Sequence, residues 1–156
     1  MFVYSIKSRQ IKLFLLIVFV VVTVISLFIL SRESTDVVNS DKSNIKASTE
    51  SERLSFISQF GWEIDEDPVE VCEVIIPAEF DETYTQYNEI QLKQGFDLKT
   101  YAGMRVKRWT YCIKNYPGYE NKNYIRINIL VYDGLVVGGD VSSIELEGFM
   151  HGFEKL

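Results

Sequence analysis

Apolar residues are distributed along this chain in two different ways. From Leu13 to Leu30 they follow one another with only a Thr and a Ser between them, whereas in the C-terminal two thirds they recur at intervals. Eighteen residues in a helix span about 27 Å at about 1.5 Å each, which is close to the hydrocarbon thickness of a bilayer. Residues 13–31 are therefore predicted to form a transmembrane helix.

The charges around this apolar run orient the predicted helix. Lys7, Arg9 and Lys12 precede it and no acidic residue does, so the N-terminal tail, residues 1–12, is expected in the cytoplasm and the rest outside. A cleaved signal peptide is the alternative, but the run exceeds the usual apolar stretch of about 7–15 residues and no A-x-A-like site follows it. We interpret it as an uncleaved signal anchor that holds the chain in the cell membrane as a single-pass protein, with the lipid bilayer as its partner.

Residues 32–50 are rich in Ser, Thr, Asn, Asp and Lys and contain no aromatic residue, which is typical of a flexible stalk. Residues 51–156 then form an extracytoplasmic domain. Of the 16 bases and 22 acids in the chain, residues 1–32 hold four bases and no acid, which leaves 12 bases and 22 acids, a net charge of −10. Such an acidic domain is not expected to bind nucleic acid.

Two helices are predicted in this domain. The first begins at a capping box formed by Thr49 and Glu52, or with Ser51 as its cap, and ends at Gly61. The second spans residues 79–94, because aromatic residues recur along one of its sides and a proline and a glycine flank it.

Alternating β-branched and aromatic residues predict four strands, over residues 69–76, 104–116, 124–132 and 135–144. Asp133-Gly134 is the signal for a type I′ hairpin, and Gly138-Gly139 indicates a bulge. The predicted order is helix-strand-helix-strand-strand-strand. This order indicates an α+β domain in which two helices pack on one face of a mainly antiparallel four-stranded sheet.

Several short motifs of this domain form a recognisable pattern. They are Phe60-Gly61-Trp62, Ile76-Pro77, Phe80-Asp81, Tyr87-Asn88, Gln94 to Leu98, Asn115 to Gly118, Val131 to Gly134, Gly138 to Val141 and Gly148 to Phe153. With these motifs the chain resembles domain-of-unknown-function family 4830, found in Gram-positive bacteria. The resemblance implies an anchored or exported single-domain protein, and it implies no activity and no catalytic residue.

His151 is the single histidine of the chain, which excludes a site with several histidine ligands. With Asp140 or a Cys brought near by the fold, it would be a general base in a small cell-envelope enzyme. No G-x-S-x-G or H-E-x-x-H motif supports such chemistry, and a packing or surface role is the other interpretation. We assign no catalytic, cofactor-binding or metal-binding residue. His151, Asp140 and Trp62 are kept as candidates because the fold could gather them in one pocket.

Cys72 and Cys112 lie on two predicted strands, forty residues apart. A disulfide between them is sterically allowed if the strands are neighbours and in suitable register. Otherwise the two residues are isolated buried thiols. The sequence leaves both alternatives open.

A basic and aromatic patch is predicted on the strand over residues 104–116. It comprises Arg105, Lys107, Arg108, Trp109 and Tyr111. Such a patch either contacts anionic headgroups or wall polymer, or is the hydrated face of a strand with paired charges.

The function predicted for the exported domain is that of a binding or interaction module without catalysis or cofactor. The alternatives are the small envelope enzyme and an accessory subunit of a membrane complex.

Overall fold

The computed structural model of the protein describes residues 44–120 and 122–156. The predicted transmembrane helix, residues 13–31, lies outside the described residues, as do the tail before it and the first part of the predicted stalk. Within the described ranges, no helix has both the length and the apolar character that a membrane crossing needs.

The elements of the described residues follow one another along the chain as two α-helices, a 3-10 helix and five strands. Their bounds are α1 (Glu50–Ser58), β1 (Glu70–Ile75), α2 (Glu82–Lys93), the 3-10 helix (Leu98–Tyr101), β2 (Arg105–Cys112), β3 (Ile125–Tyr132), β4 (Leu135–Ser143) and β5 (Met150–His151). Each strand pairs with the next in antiparallel orientation, in the order β1-β2-β3-β4-β5. The α+β class is confirmed. The prediction of four strands was wrong by one, because β5 has only two residues and is too short to show an alternating pattern.

The hairpin between β3 and β4 follows its sequence signal. Asp133 has φ 48° and Gly134 has φ 76°, both in the left-handed region that a type I′ turn requires. A side chain at Gly134 would also collide with the Ser48 hydroxyl. The turn therefore needs glycine for its conformation and for the close approach of the chain that precedes α1.

The middle of β4 is bonded along its outer edge by two glutamines, one in the last turn of α2 and one that directly follows it. The amide of Gly139 donates to Oε1 of Gln91 at 2.8 Å, and Nε2 of Gln94 donates to the Gly139 carbonyl at 3.1 Å. Oε1 of Gln94 also accepts from the amide of Phe153 at 2.6 Å. The bulge predicted at Gly138-Gly139 lies one residue earlier, at Val137, where the register with β3 shifts.

Successive residues of β3 point to opposite sides of the sheet. The side that carries Ile127 is named the first face here, and the side that carries Asn128 is named the second face. The first face is covered by α1 in a cluster that includes Phe56, Ile57, Tyr111, Ile125, Ile127, Ile129 and Phe153. The second face is covered by α2 in a cluster that includes Tyr84, Tyr87, Leu98, Val106, Leu130 and Val137. The prediction that both helices pack on one face was therefore wrong, because the polar second-face residues of β3 gave no sign of a covering helix.

The folded domain begins before residue 51. The amide of Ala47 donates to the Gly134 carbonyl at 2.8 Å, and the amide of Val136 donates to the Ile45 carbonyl at 2.7 Å. Ala47 itself is buried. Residues 44–50, which were assigned to the stalk, therefore belong to the domain, and their polar composition concealed this backbone pairing.

Candidate functional site

His151 has both of its ring nitrogens engaged within the domain. Nε2 lies 3.1 Å from the Tyr116 hydroxyl, and Nδ1 lies 2.6 Å from the carbonyl oxygen of Gly152. Because a carbonyl can only accept, we assign the proton to Nδ1, and Nε2 then accepts from Tyr116. In this arrangement neither nitrogen is open to a substrate proton or a metal ion.

Trp62 is linked to His151 through Tyr116. The rings of Trp62 and Tyr116 stack with centroids 5.5 Å apart and planes 3° apart, and Nε1 of Trp62 donates to the Phe153 carbonyl at 2.6 Å. Phe149 stacks on Tyr116 at 5.0 Å and on His151 at 5.6 Å. The four residues Trp62, Tyr116, Phe149 and His151 are named the aromatic cluster. The structure thus brings two of the three candidates into one cluster, through two residues that sequence reasoning did not select as candidates.

Asp140 lies on the other side of the sheet from His151. In the ladders, Asp140 is opposite Asn128 on the second face, whereas His151 is opposite Val141, which belongs to the first-face cluster. The sheet therefore separates the two groups. The hypothesis of an enzyme that uses His151 with Asp140 fails on this geometry, because alternation along β4 sends Asp140 and Val141 to opposite faces.

Asp140 is instead the centre of a buried hydrogen-bond network. Its Oδ1 accepts from the Tyr87 hydroxyl at 2.9 Å, and its Oδ2 accepts from Nδ2 of Asn128 at 2.9 Å. Oγ1 of Thr110 donates to Oδ1 of Asn128 at 2.7 Å. These four residues are named the polar network. Only 3% of Asp140 is exposed, so the network fixes α2 on the sheet and is closed to a ligand.

Burial sets the protonation behaviour of this network. Desolvation raises the pKa of Asp140 above its ordinary value of 3.8, although the hydrogen bonds from Asn128 and Tyr87 oppose the shift. Desolvation, followed by the negative charge of Asp140, raises the pKa of Tyr87 well above 10.0. The phenol of Tyr87 is therefore a permanent donor.

Cys72 and Cys112 lie on neighbouring strands but far out of register. Cys72 is opposite Arg108, and Cys112 lies four residues further along β2. At about 3.4 Å per residue this offset is about 14 Å, whereas a disulfide needs Cα atoms closer than about 7 Å. Both thiols are free, so the disulfide alternative is not realised. Cys112 shares the second face with Arg126, whose Nη1 lies 3.1 Å from its sulfur, and the sheet separates it from His151.

The predicted basic and aromatic patch is divided by the sheet. Arg108 points to the second face, where it pairs with Glu70 at 2.5 Å. The other four residues of the patch lie on the first face, where Arg105 pairs with Glu73 at 3.2 Å and Tyr111 is buried. Lys107 and Trp109 lie next to a buried arginine of α1.

That arginine, Arg53, was missed by sequence reasoning. It shares the buried side of α1 with Phe56 and Ile57. The sequence did indicate that Arg53 is buried, because positions 53, 56 and 57 have the i, i+3, i+4 spacing of one helix face. An arginine at such a position is easily read as a surface residue.

A pocket of about 330 Å³ opens beside His151 at the β5 edge of the sheet. Its walls are mostly apolar and come from α2, β5 and the segment after β5. They are formed by Ile90, Lys93, Gln94, Met150, His151, Gly152, Glu154 and Leu156. The volume is at the lower end of the range of about 300–1,000 Å³ for small-molecule pockets. This pocket can take an apolar group and hold it against one edge of the aromatic cluster.

Comparison with protein families gives a match over much of the domain. A family model described as a domain of unknown function, DUF4830, matches residues 56–141. Among curated proteins and among solved structures, no significant match exists. The matched stretch includes Trp62 and Asp140, whereas His151 lies beyond its end.

Proposed function

The chain belongs to the DUF4830 family, and we propose that it is a membrane-anchored binding module whose domain of residues 44–156 lies outside the cell. The observation that carries the binding role is the pocket beside His151. The pocket is mostly apolar and lies next to a histidine whose two nitrogens are already engaged. Such a site suits recognition of an apolar group better than proton transfer.

The anchoring part of this proposal rests on the sequence before residue 44. The apolar run from Leu13 to Leu30 is long enough for a bilayer, and three bases precede it. The domain would then be joined to the membrane by a stalk of residues 32–43.

The membrane location is tested in two steps. Deletion of residues 13–30 is expected to move the chain from the membrane fraction to the soluble fraction. A protease added to intact cells stripped of their wall is expected to digest the domain. Survival of the domain until the membrane is broken would overturn the orientation but would leave the binding role standing.

The binding role is tested with two exposed apolar residues. Met150 lines the pocket and is 49% exposed, whereas Leu146 lies outside the pocket and is 98% exposed. We expect small apolar fragments, screened by ligand-observed NMR against the full chain, to bind the wild type and Leu146→Arg but not Met150→Arg. Equal binding by the two variants would place the fragment site elsewhere, and no binding to any form would refute the proposed role of the pocket.

A further inference from the structure

Arg53 is a buried cation that has no acidic partner within the described part of the chain. Its residue is 6% exposed, and no carboxylate of residues 44–120 or 122–156 lies within salt-bridge distance of its guanidinium. Its Nε donates to the Tyr111 hydroxyl at 3.1 Å, and its Nη1 lies 3.4 Å from the carbonyl oxygens of Ala47 and Ser48. These neutral acceptors orient the guanidinium but leave its positive charge unneutralised, which is costly in a desolvated position.

The guanidinium of Arg53 also packs against an aromatic ring. Its Cζ lies 3.5 Å from the ring centroid of Trp109, and Nζ of Lys107 lies 5.8 Å from the same centroid. Stacking on an indole holds a guanidinium flat and immobile. Two cations are thus held around one ring, the first rigidly and the second on a flexible stem.

Both cations line a pocket of about 350 Å³ on the first face. Ser48, Val131 and Asp133 contribute to its walls, so the pocket has two positive charges and one negative charge in a chain whose net charge is −6. Nη2 of Arg53 makes no hydrogen bond to the described residues and is not fully enclosed by them. Its two N–H donors are therefore available to a group in the pocket.

We propose that this pocket binds an oxyanionic group, a phosphate or a carboxylate. Such a group would accept from Nη2 of Arg53, receive a second charge-assisted bond from Lys107, and neutralise the buried charge that the domain leaves unpaired. The site is separate from the pocket beside His151 and does not depend on it. The cation that matters most comes from α1, so its alignment depends on the capping box of Thr49 and Glu52 that begins this helix.

The test uses the two tryptophans of the chain as probe and internal control. The indole N–H of Trp109 reports on the proposed pocket, whereas that of Trp62 is bonded to the Phe153 carbonyl in the aromatic cluster. The full chain, held in phosphatidylcholine nanodiscs, is titrated with sodium phosphate, sodium acetate or sodium chloride at matched ionic strength while both indole signals are followed by NMR. We expect a saturable shift of the Trp109 signal with phosphate or acetate, and an unchanged Trp62 signal.

A second arm identifies the source of the oxyanion. Nanodiscs that contain phosphatidylglycerol, with no added phosphate, would shift the Trp109 signal if a lipid headgroup occupies the pocket. A shift only with the added salts would assign the pocket to a soluble anion. Shifts that do not saturate, that chloride reproduces, or that affect both indoles equally would overturn the proposal.

Three variants connect the shift to the named cations. Arg53→Lys keeps the charge but loses the planar fork, and we expect about tenfold weaker binding. Lys107→Gln removes an exposed charge and is expected to weaken binding about two- to fivefold. Lys99→Gln, an exposed lysine of the 3-10 helix outside this pocket, is the matched control and should bind as the wild type does. A change of the Trp62 signal in Arg53→Lys would show that the fold of this variant has changed. In that case the binding of Lys107→Gln decides the test, and binding equal to that of the wild type contradicts the proposal.

Discussion

The two faces of the sheet are held by different physical means. On the first face, Ile125, Ile127 and Ile129 are fully buried under α1 and aromatic rings. On the second face, the buried Leu130 is next to the polar network of Asp140, Asn128, Thr110 and Tyr87 under α2. The first face thus depends mainly on the area removed from water, whereas the second face combines a smaller apolar cluster with a fixed set of donors and acceptors.

This difference means that one face mainly stabilises the fold, whereas the other mainly determines where α2 is placed on the sheet. Burial of an isoleucine side chain contributes about 1.5–3 kcal/mol, whereas a hydrogen bond contributes about 0.5–1.5 kcal/mol net. A buried polar group that loses its partner, however, costs about 1–3 kcal/mol. The first face therefore supplies most of the stabilisation, and the second face penalises any other placement of α2.

Truncation on the first face should have the largest effect. Ile127→Ala leaves a cavity in a fully buried position and is expected to lower the free energy of unfolding by about 2–5 kcal/mol. The matched control is Ile144→Ala, because Ile144 is 58% exposed, and this change should cost less than about 0.5 kcal/mol. Urea unfolding of both variants gives the comparison, and similar losses would show that the first face is not the main source of stability.

Disruption of the polar network should have a smaller but coupled effect. Asp140→Ala leaves the Tyr87 hydroxyl and the Asn128 amide without their acceptor, at an expected cost of about 1–3 kcal/mol. Tyr87→Phe removes one of those donors, so the double variant should lose less than the sum of the two single losses. Strict additivity in urea unfolding would mean that the network does not act as a unit.

The pH dependence of stability should differ between the faces, because Asp140 on the second face is the one buried carboxyl among residues 44–120 and 122–156. Desolvation raises the pKa of Asp140 in the folded chain above its unfolded value of about 3.9. The folded state therefore binds this proton more tightly, so the contribution of Asp140 is greatest at low pH and declines as the pH rises from about 4 through the raised pKa. The free energy of unfolding of the wild type, minus that of Asp140→Asn, is expected to fall over this window and then level off. If this difference in free energy instead rose with pH, the pKa of Asp140 would be lowered by folding and not raised.

Apart from the exposed control, the smallest effect is expected for Arg126, the second-face residue near the start of β3. Arg126 is half-buried, and among the described residues its side chain hydrogen-bonds only to the Cys112 sulfur at 3.1 Å and the Ile125 carbonyl at 3.4 Å. Arg126→Ala should therefore change the free energy of unfolding by less than about 1 kcal/mol. A loss as large as that of Ile127→Ala would mean that the second face contributes as much stability as the first.

The elements that could be predicted from sequence are those whose signals are local. The type I′ turn at Asp133-Gly134 and the capping box of Thr49 and Glu52 depend on residues within a few positions of one another, and both are confirmed. The buried first-face residues of β3 could also be predicted, because isoleucines at every second position indicate a strand with one face in the core.

The elements that could not be predicted depend on distant partners. Asn128 looks like a surface residue until Asp140 and Tyr87 are placed around it. Tyr116 gave no sign that it would occupy Nε2 of His151, because 35 residues separate the two in sequence. For Arg53, the spacing within α1 indicates burial, but the ring of Trp109 on which it packs lies on another element, so its environment could not be predicted.

The glutamine contacts along β4 have a consequence for self-association. A sheet edge with free amides and carbonyls is a template for strand addition by another molecule. In β4 the edge is bonded at its middle by Gln91 and Gln94, at its start by the chain before α1, and at its end by β5. Within the part of the chain that the structure describes, β1 is then the long open edge, and it carries Glu70 and Glu73. Both glutamates are paired with arginines of β2, so they do not repel a second copy as free charges would. The glutamine contacts therefore protect the β4 side of the sheet from strand addition, and β1 is the edge at which another strand could add.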